Sequence, residues 1–61
     1  MFSCVVSRPF GWLDMALEWC RNEIQAEWRW SMIETSSHST NGIYRFYFSN
    51  LQDLVAFNLF R

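Results

Sequence analysis

The sequence predicts one small α+β domain, residues 1–61, in the order strand, helix, strand, strand, helix. Three observations carry that expectation. Short alternating runs rich in aromatic and β-branched residues occur near the start and twice after residue 26; between them Phe10–Gln25 changes to a helical period; and a helix-start signature follows the last run.

Taken in order, Phe2–Ser7, "FSCVVS", reads as a strand. Arg8 precedes Pro9, which disfavours helix at Arg8 and suits the first turn of a helix beginning there. On a helical wheel Leu13, Ala16, Leu17, Cys20 and Ile24 form one apolar face, opposed by Asp14, Glu18, Arg21 and Gln25. Trp12, Met15 and Trp19 widen that face into a second stripe, which needs a cover of its own: the second helix, or another copy of the chain.

Glu27–Glu34, "EWRWSMIE", puts Trp28, Trp30 and Met32 on one side and Arg29, Ser31 and Ile33 on the other. Thr35–Gly42 is a polar turn cluster ending in Asn-Gly, so this strand and Ile43–Phe48 make a hairpin with a loop longer than the tight two-residue type. Ser49–Gln52 matches an S-x-x-Q capping box; with Leu51, Leu54 and Val55 at helical spacing, it predicts a helix running to about Asn58. Leu59, Phe60 and Arg61 are too few for a fourth strand but could lie along the free edge of the first.

A right-handed crossover with a gap filled by the third strand gives a three-stranded antiparallel sheet in the order 1-3-2 with both helices on one face. The expected fold is a ferredoxin-like split βαβ that lacks its last strand. Tyr44, Phe46 and Phe48 share a parity with Trp28, Trp30 and Met32, so these large side chains, with Phe2, Cys4 and Val6, are expected to form the core. The opposite face then carries Val5, Arg29, Ile33, Ile43, Arg45 and Tyr47.

A domain of this size buries only roughly 60% of the surface its unfolded chain exposes. Aromatics make up 20% of the chain, which points to dense packing and self-association as the compensation. Five Arg, no Lys and six acids give a formal net charge of −1, a poor footprint for phosphate binding, so nucleic acid is not the expected partner. No apolar run approaches the roughly 18 residues of a membrane span, and no signal peptide is evident; the expectation is a soluble intracellular protein.

Candidates for chemistry are few. Cys4 and Cys20 are expected to be buried thiols, and no spacing of Cys, His and carboxylate residues suggests a metal. His38 lies between Ser37 and Ser39 in the polar cluster, but neighbours in sequence do not make a triad. Neither enzyme activity nor a cofactor is expected. Asp14 and Glu18 form a solvated helix face, while Glu23 falls beside Trp12 and Trp19 and suits either pairing with an arginine across an interface or reaching past the helix end. Trp12, Met15, Trp19 and Glu23, with Val5 on the first strand, are therefore the candidate protein-binding residues, and a symmetric homodimer is expected through the Trp stripe or the edge of Phe2–Ser7. The alternative is a single-strand nucleic-acid binder using Arg29, Arg45 and Tyr47, with Tyr47 stacking a base.

The C-terminal third, "GIYRFYFSNLQDLVAFNLFR", has an aromatic strand followed by F-x-x-x-x-D-x-x-x-F-x-L, with Phe48, Asp53, Phe57 and Leu59 at those positions and Arg61 as a basic end. This resembles a pattern in small uncharacterised accessory proteins of tailed bacteriophages. The resemblance implies a phage protein acting in the host bacterial cytoplasm by binding a host enzyme, transcription factor or defence factor. A minor structural part of the virion is the third class it admits.

Overall fold

The computed structural model describes residues 1–35 and 41–60. Its elements are β1 (Phe2–Pro9), α1 (Phe10–Glu23), β2 (Trp28–Thr35), β3 (Asn41–Phe48) and α2 (Leu51–Phe60). The three strands form one antiparallel sheet in the order β1-β3-β2, the βαββα arrangement of an α+β split βαβ unit. His38 and most of the polar turn cluster lie outside the described residues.

The central strand organises the core. Tyr44, Phe46 and Phe48 alternate with Ile43, Arg45 and Tyr47 along β3, and the three aromatics of the first set are fully buried. Both helices lie over that face. The Trp12 ring of α1 meets Phe46 at 6.0 Å, and Phe57 of α2 meets Phe46 at 4.6 Å and Phe48 at 5.3 Å. Val6, Ala16, Cys20 and Ile24 complete the buried set, with Leu13, Leu17 and Leu54 packed against it.

Element ends differ from the sequence expectation for identifiable reasons. β1 continues past Ser7, because Arg8 and Pro9 still pair with Gly42 and Asn41. α1 stops at Glu23, since Ile24 turns extended (φ −99°, ψ 117°) while its N–H donates to the Cys20 carbonyl at 2.9 Å. The second helix is capped one residue later than the S-x-x-Q box implies. The Leu54 N–H donates to the Asn50 carbonyl at 3.3 Å, which makes Asn50 the residue before the first turn and puts Asp53 within that turn. α2 also extends through Leu59 and Phe60 rather than releasing them toward β1, because the Phe60 ring stacks on Trp19 at 4.9 Å.

The expected core is too wide at both edges. Phe2, the first residue of β1, is 44% exposed, and on β2 Trp30 is 37% and Met32 44% exposed, although all three stand on the helix side of the sheet. At the β2 edge the cause is connectivity. α1 starts at the residue after β1 ends and α2 starts three residues after β3 ends, so the helices pack on β1 and β3. Residues 24–27 carry the chain from α1 to the far edge, and β2 keeps a bare inner flank. The register of β2 against β3 also slips between Met32 and Glu34, a bulge at Ile33 of the kind that blunts sheet edges.

Gly42 is the position where packing admits no side chain. A Cβ there would lie 2.6 Å from the Tyr44 hydroxyl oxygen, 2.7 Å from its ring and 2.9 Å from the Phe10 ring. Tyr44 is fully buried and has nowhere to move. Gly42→Ala is expected to cost about 1–3 kcal/mol, the usual range for overpacking, whereas Gly11→Ala, on α1 with nothing within 4 Å, is expected to be neutral or stabilising. Urea denaturation of the two variants checks this pair.

Candidate functional site

Five places could carry function: the Trp stripe of α1, the open face of the sheet, the bare flank of β2, the outer face of α2 and the buried polar groups. The Trp stripe is the one the sequence favours as an interface. Of the two covers expected for it, α2 is the one present. Trp12 meets Phe57 at 6.2 Å and Phe60 at 6.4 Å; Trp19 meets Phe57 at 5.9 Å and lies almost parallel to Phe60, at 20°. Both tryptophans are half-buried, so only part of each ring remains open; Met15 is the member of the stripe that faces outward, at 59% exposure. Glu23 is exposed at the end of α1, and Val5 is exposed on the opposite face of the sheet. The five residues are therefore not assembled into one patch.

The open sheet face does bring its three candidates together. Tyr47 pairs across the sheet with Arg29 and Ser3, and Arg45 pairs with Ser31 and Val5. The Arg29 guanidinium sits 5.1 Å from the Tyr47 ring centroid, within cation–π range. Arg29 and Arg45 lie on this face, while Asp14, Glu18 and Glu23 lie on α1 on the other side of the molecule. The face thus gathers two guanidiniums, with Glu27 exposed two residues before Arg29. Its aromatic content is the single ring of Tyr47, which already carries a guanidinium.

The β2 flank is a surface the alternating pattern does not reveal. Trp30 stands at its centre, with its ring edge-on to Tyr44 at 6.2 Å, and Met32 follows two residues on. Both are continuous with the buried aromatics of β3 yet remain partly open to solvent. The alternation of "EWRWSMIE" tells which side of the sheet these residues take, but not whether a helix reaches them.

The outer face of α2 was also hidden from the sequence reading. Leu51, Val55 and Leu59, at i, i+4 and i+8, are 53%, 51% and 83% exposed. Apolar residues ring this helix, and only the side bearing Phe57, Leu54 and Phe60 is used by the core. The signal was available in the spacing of Leu51, Val55 and Leu59, which lies opposite Phe57 on a helical wheel.

Among the buried groups, burial holds the Cys20 thiol well above its ordinary 9.0, at about 12, with Cys4 adding a smaller push in the same direction. Burial likewise raises the Tyr44 phenol, helped by the Asp14 carboxylate. The Tyr44 hydroxyl and one carboxylate oxygen of Asp53 are buried and make no hydrogen bond among the described residues. Those residues contain no pocket and no cluster of three metal-ligating side chains. Nor is any of their helices long and apolar enough to cross a membrane.

The chain matches no protein-family model, no curated protein and no solved structure.

The Cys20 shift gives an alkaline prediction. A thiol whose proton is held more tightly in the folded state contributes its full stability below the unfolded value near 9.0 and loses it as pH rises toward about 12. Stability is expected to fall by up to about 1.4 kcal/mol per pH unit across that window, and Cys20→Ala, though less stable at neutral pH, should show a flatter profile. Chemical denaturation at a series of pH values between those limits reads the slope.

Proposed function

We propose that this chain is a small protein-binding module, of the phage accessory type that its C-terminal third resembles, acting on a protein of the bacterial host in the host cytoplasm. The observation that supports it is the bare flank of β2. Trp30 and Met32 share the face on which Tyr44, Phe46 and Phe48 are fully buried, but no helix closes over them. Trp and Met are enriched at the centres of protein interfaces, where a ring already braced by its neighbours loses little freedom on binding. The Tyr44 contact braces Trp30 in that way, and the flexible Met32 side chain beside it can adapt to a partner.

The reading is tested by affinity purification of the tagged protein from bacterial cells with a high-salt wash, comparing the native chain with Met32→Asp. Met32 is the better position to change, because Trp30 also supports Tyr44. The variant is expected to stay folded by circular dichroism and to lose about tenfold or more of the retained partner, as for a residue worth more than ~1 kcal/mol at an interface. Equal recovery by both forms would remove the β2 flank from the proposal.

A second reading, binding of single-stranded nucleic acid, is favoured by one observation, the grouping of Arg29, Arg45 and Tyr47 on the open face. Two guanidiniums and one ring that is already stacked make a weak site. Affinity for single-stranded DNA or RNA is expected to be no better than the non-specific range of about 10⁻⁴ to 10⁻⁶ M at physiological salt. Tighter binding in a fluorescence titration, weakened by Arg45→Ala, would promote this reading above the first.

A further inference from the structure

Two nucleophilic side chains, Cys4 and Cys20, take no part in either proposed surface, and the fold draws them from two layers into one part of the core. Cys4 stands on the helix side of β1, paired across the sheet with Phe46, and is half-buried. Cys20 stands on the sheet side of α1 and is fully buried. Both are thiols, packed in a single hydrophobic cluster.

The junction at Pro9 sets them at one height. α1 begins at the residue after β1 ends and doubles back over the sheet: Trp12 meets Tyr44 and Phe46, while Trp19 meets Phe57, whose ring lies on Phe46 and Phe48. At about 3.3 Å per strand residue and about 1.5 Å per helical residue, the five residues from Cys4 to Pro9 and the eleven from Pro9 to Cys20 cover nearly equal lengths, roughly 17 Å each. Ala16 and Cys20 are the buried residues of α1, so the helix meets the sheet there through small side chains. Close approach of that kind is what a disulfide needs, since it spans Cα separations of only about 4.4–6.8 Å. The push that Cys4 exerts on the Cys20 thiol reports the same nearness.

We infer that Cys4 and Cys20 form a reversible intramolecular disulfide that staples β1 to α1 when the chain meets a low-molecular-weight disulfide such as oxidised glutathione. Exposure sets the order of events. Cys4, the more open thiol, loses its proton to solvent and attacks a sulfur of the oxidant; a Cys4–glutathione bond forms, and one glutathione leaves as a thiolate that takes up a proton. Cys20 then gives up its proton and attacks the Cys4 sulfur; the Cys4–Cys20 bond forms and the second glutathione leaves in the same way. The two protein thiols have lost two electrons and two protons, and the oxidant has become two molecules of glutathione. Burial makes Cys20 a poor nucleophile, so the second step depends on fixed proximity rather than on ionisation. The bond closes the loop between residues 4 and 20 in the unfolded chain, the kind of constraint from which a domain with a small core gains most.

The test treats the native chain with oxidised glutathione at mildly alkaline pH, quenches with acid and measures the intact mass. The expected product is a monomer lighter by two hydrogens, carrying no glutathione and restored by dithiothreitol, whose urea midpoint lies above that of the reduced chain. Cys20→Ala is expected to stop at the Cys4 adduct, and Cys4→Ala to stay unmodified while folded. A native chain that stays reduced, accumulates the Cys4 adduct or links to a second copy overturns the inference. So does an internal bond that forms only in urea, because the folded backbone then holds the two sulfurs apart. An internal bond that leaves the midpoint unmoved, or lowers it, overturns the staple.

Discussion

Phe57 ties the layers of this molecule together. Its ring lies 4.6 Å from Phe46 and 5.3 Å from Phe48 of the central strand, and within 6.2 Å of Trp12, Trp19 and Phe60. In a chain too short for a large aliphatic core, one buried ring that touches the sheet, the first helix and its own helix does the work of several aliphatic contacts. Because Phe57 faces inward, Leu51, Val55 and Leu59 must face outward. Because α2 is drawn onto Trp12 and Trp19, the stripe that looks most like an interface in the sequence is partly covered inside the chain.

Connectivity sets the other boundary of the core. A helix that begins at the residue after its strand cannot travel across the sheet, and α1 follows β1 with no intervening residue. α2 follows β3 after Ser49 and Asn50 alone, and the Ser49 N–H is itself held by the Glu27 carbonyl at 3.1 Å. Both helices are thus confined to the β1 and β3 side. β2, reached by a longer link, packs chiefly on β3, and among its inner residues Trp28 is the one drawn against the core. The bulge at Ile33 and the bare Trp30 and Met32 are two features of one edge: the backbone there resists strand addition, while the side chains remain available to a different kind of contact.

The same constraints decide how much of the structure is legible in the sequence. The strict alternation of Tyr44, Phe46 and Phe48 placed the core face correctly because a central strand is covered on that face wherever the helices settle. The order 1-3-2 followed from handedness and hairpin proximity. Alternation is silent about cover, however, so Trp30 and Met32 carried the same pattern as Phe46 and were assigned the same burial. The helical wheel had a matching blind spot. It groups Trp12 and Trp19 with Met15 as excess apolar surface, yet a ring that packs on both, Phe60, belongs to the last three residues, whose number and pattern point to no element. Sequence period gave faces reliably; tertiary placement decided which faces stayed open, and that decision depended on link lengths and on two phenylalanines near the end of the described chain.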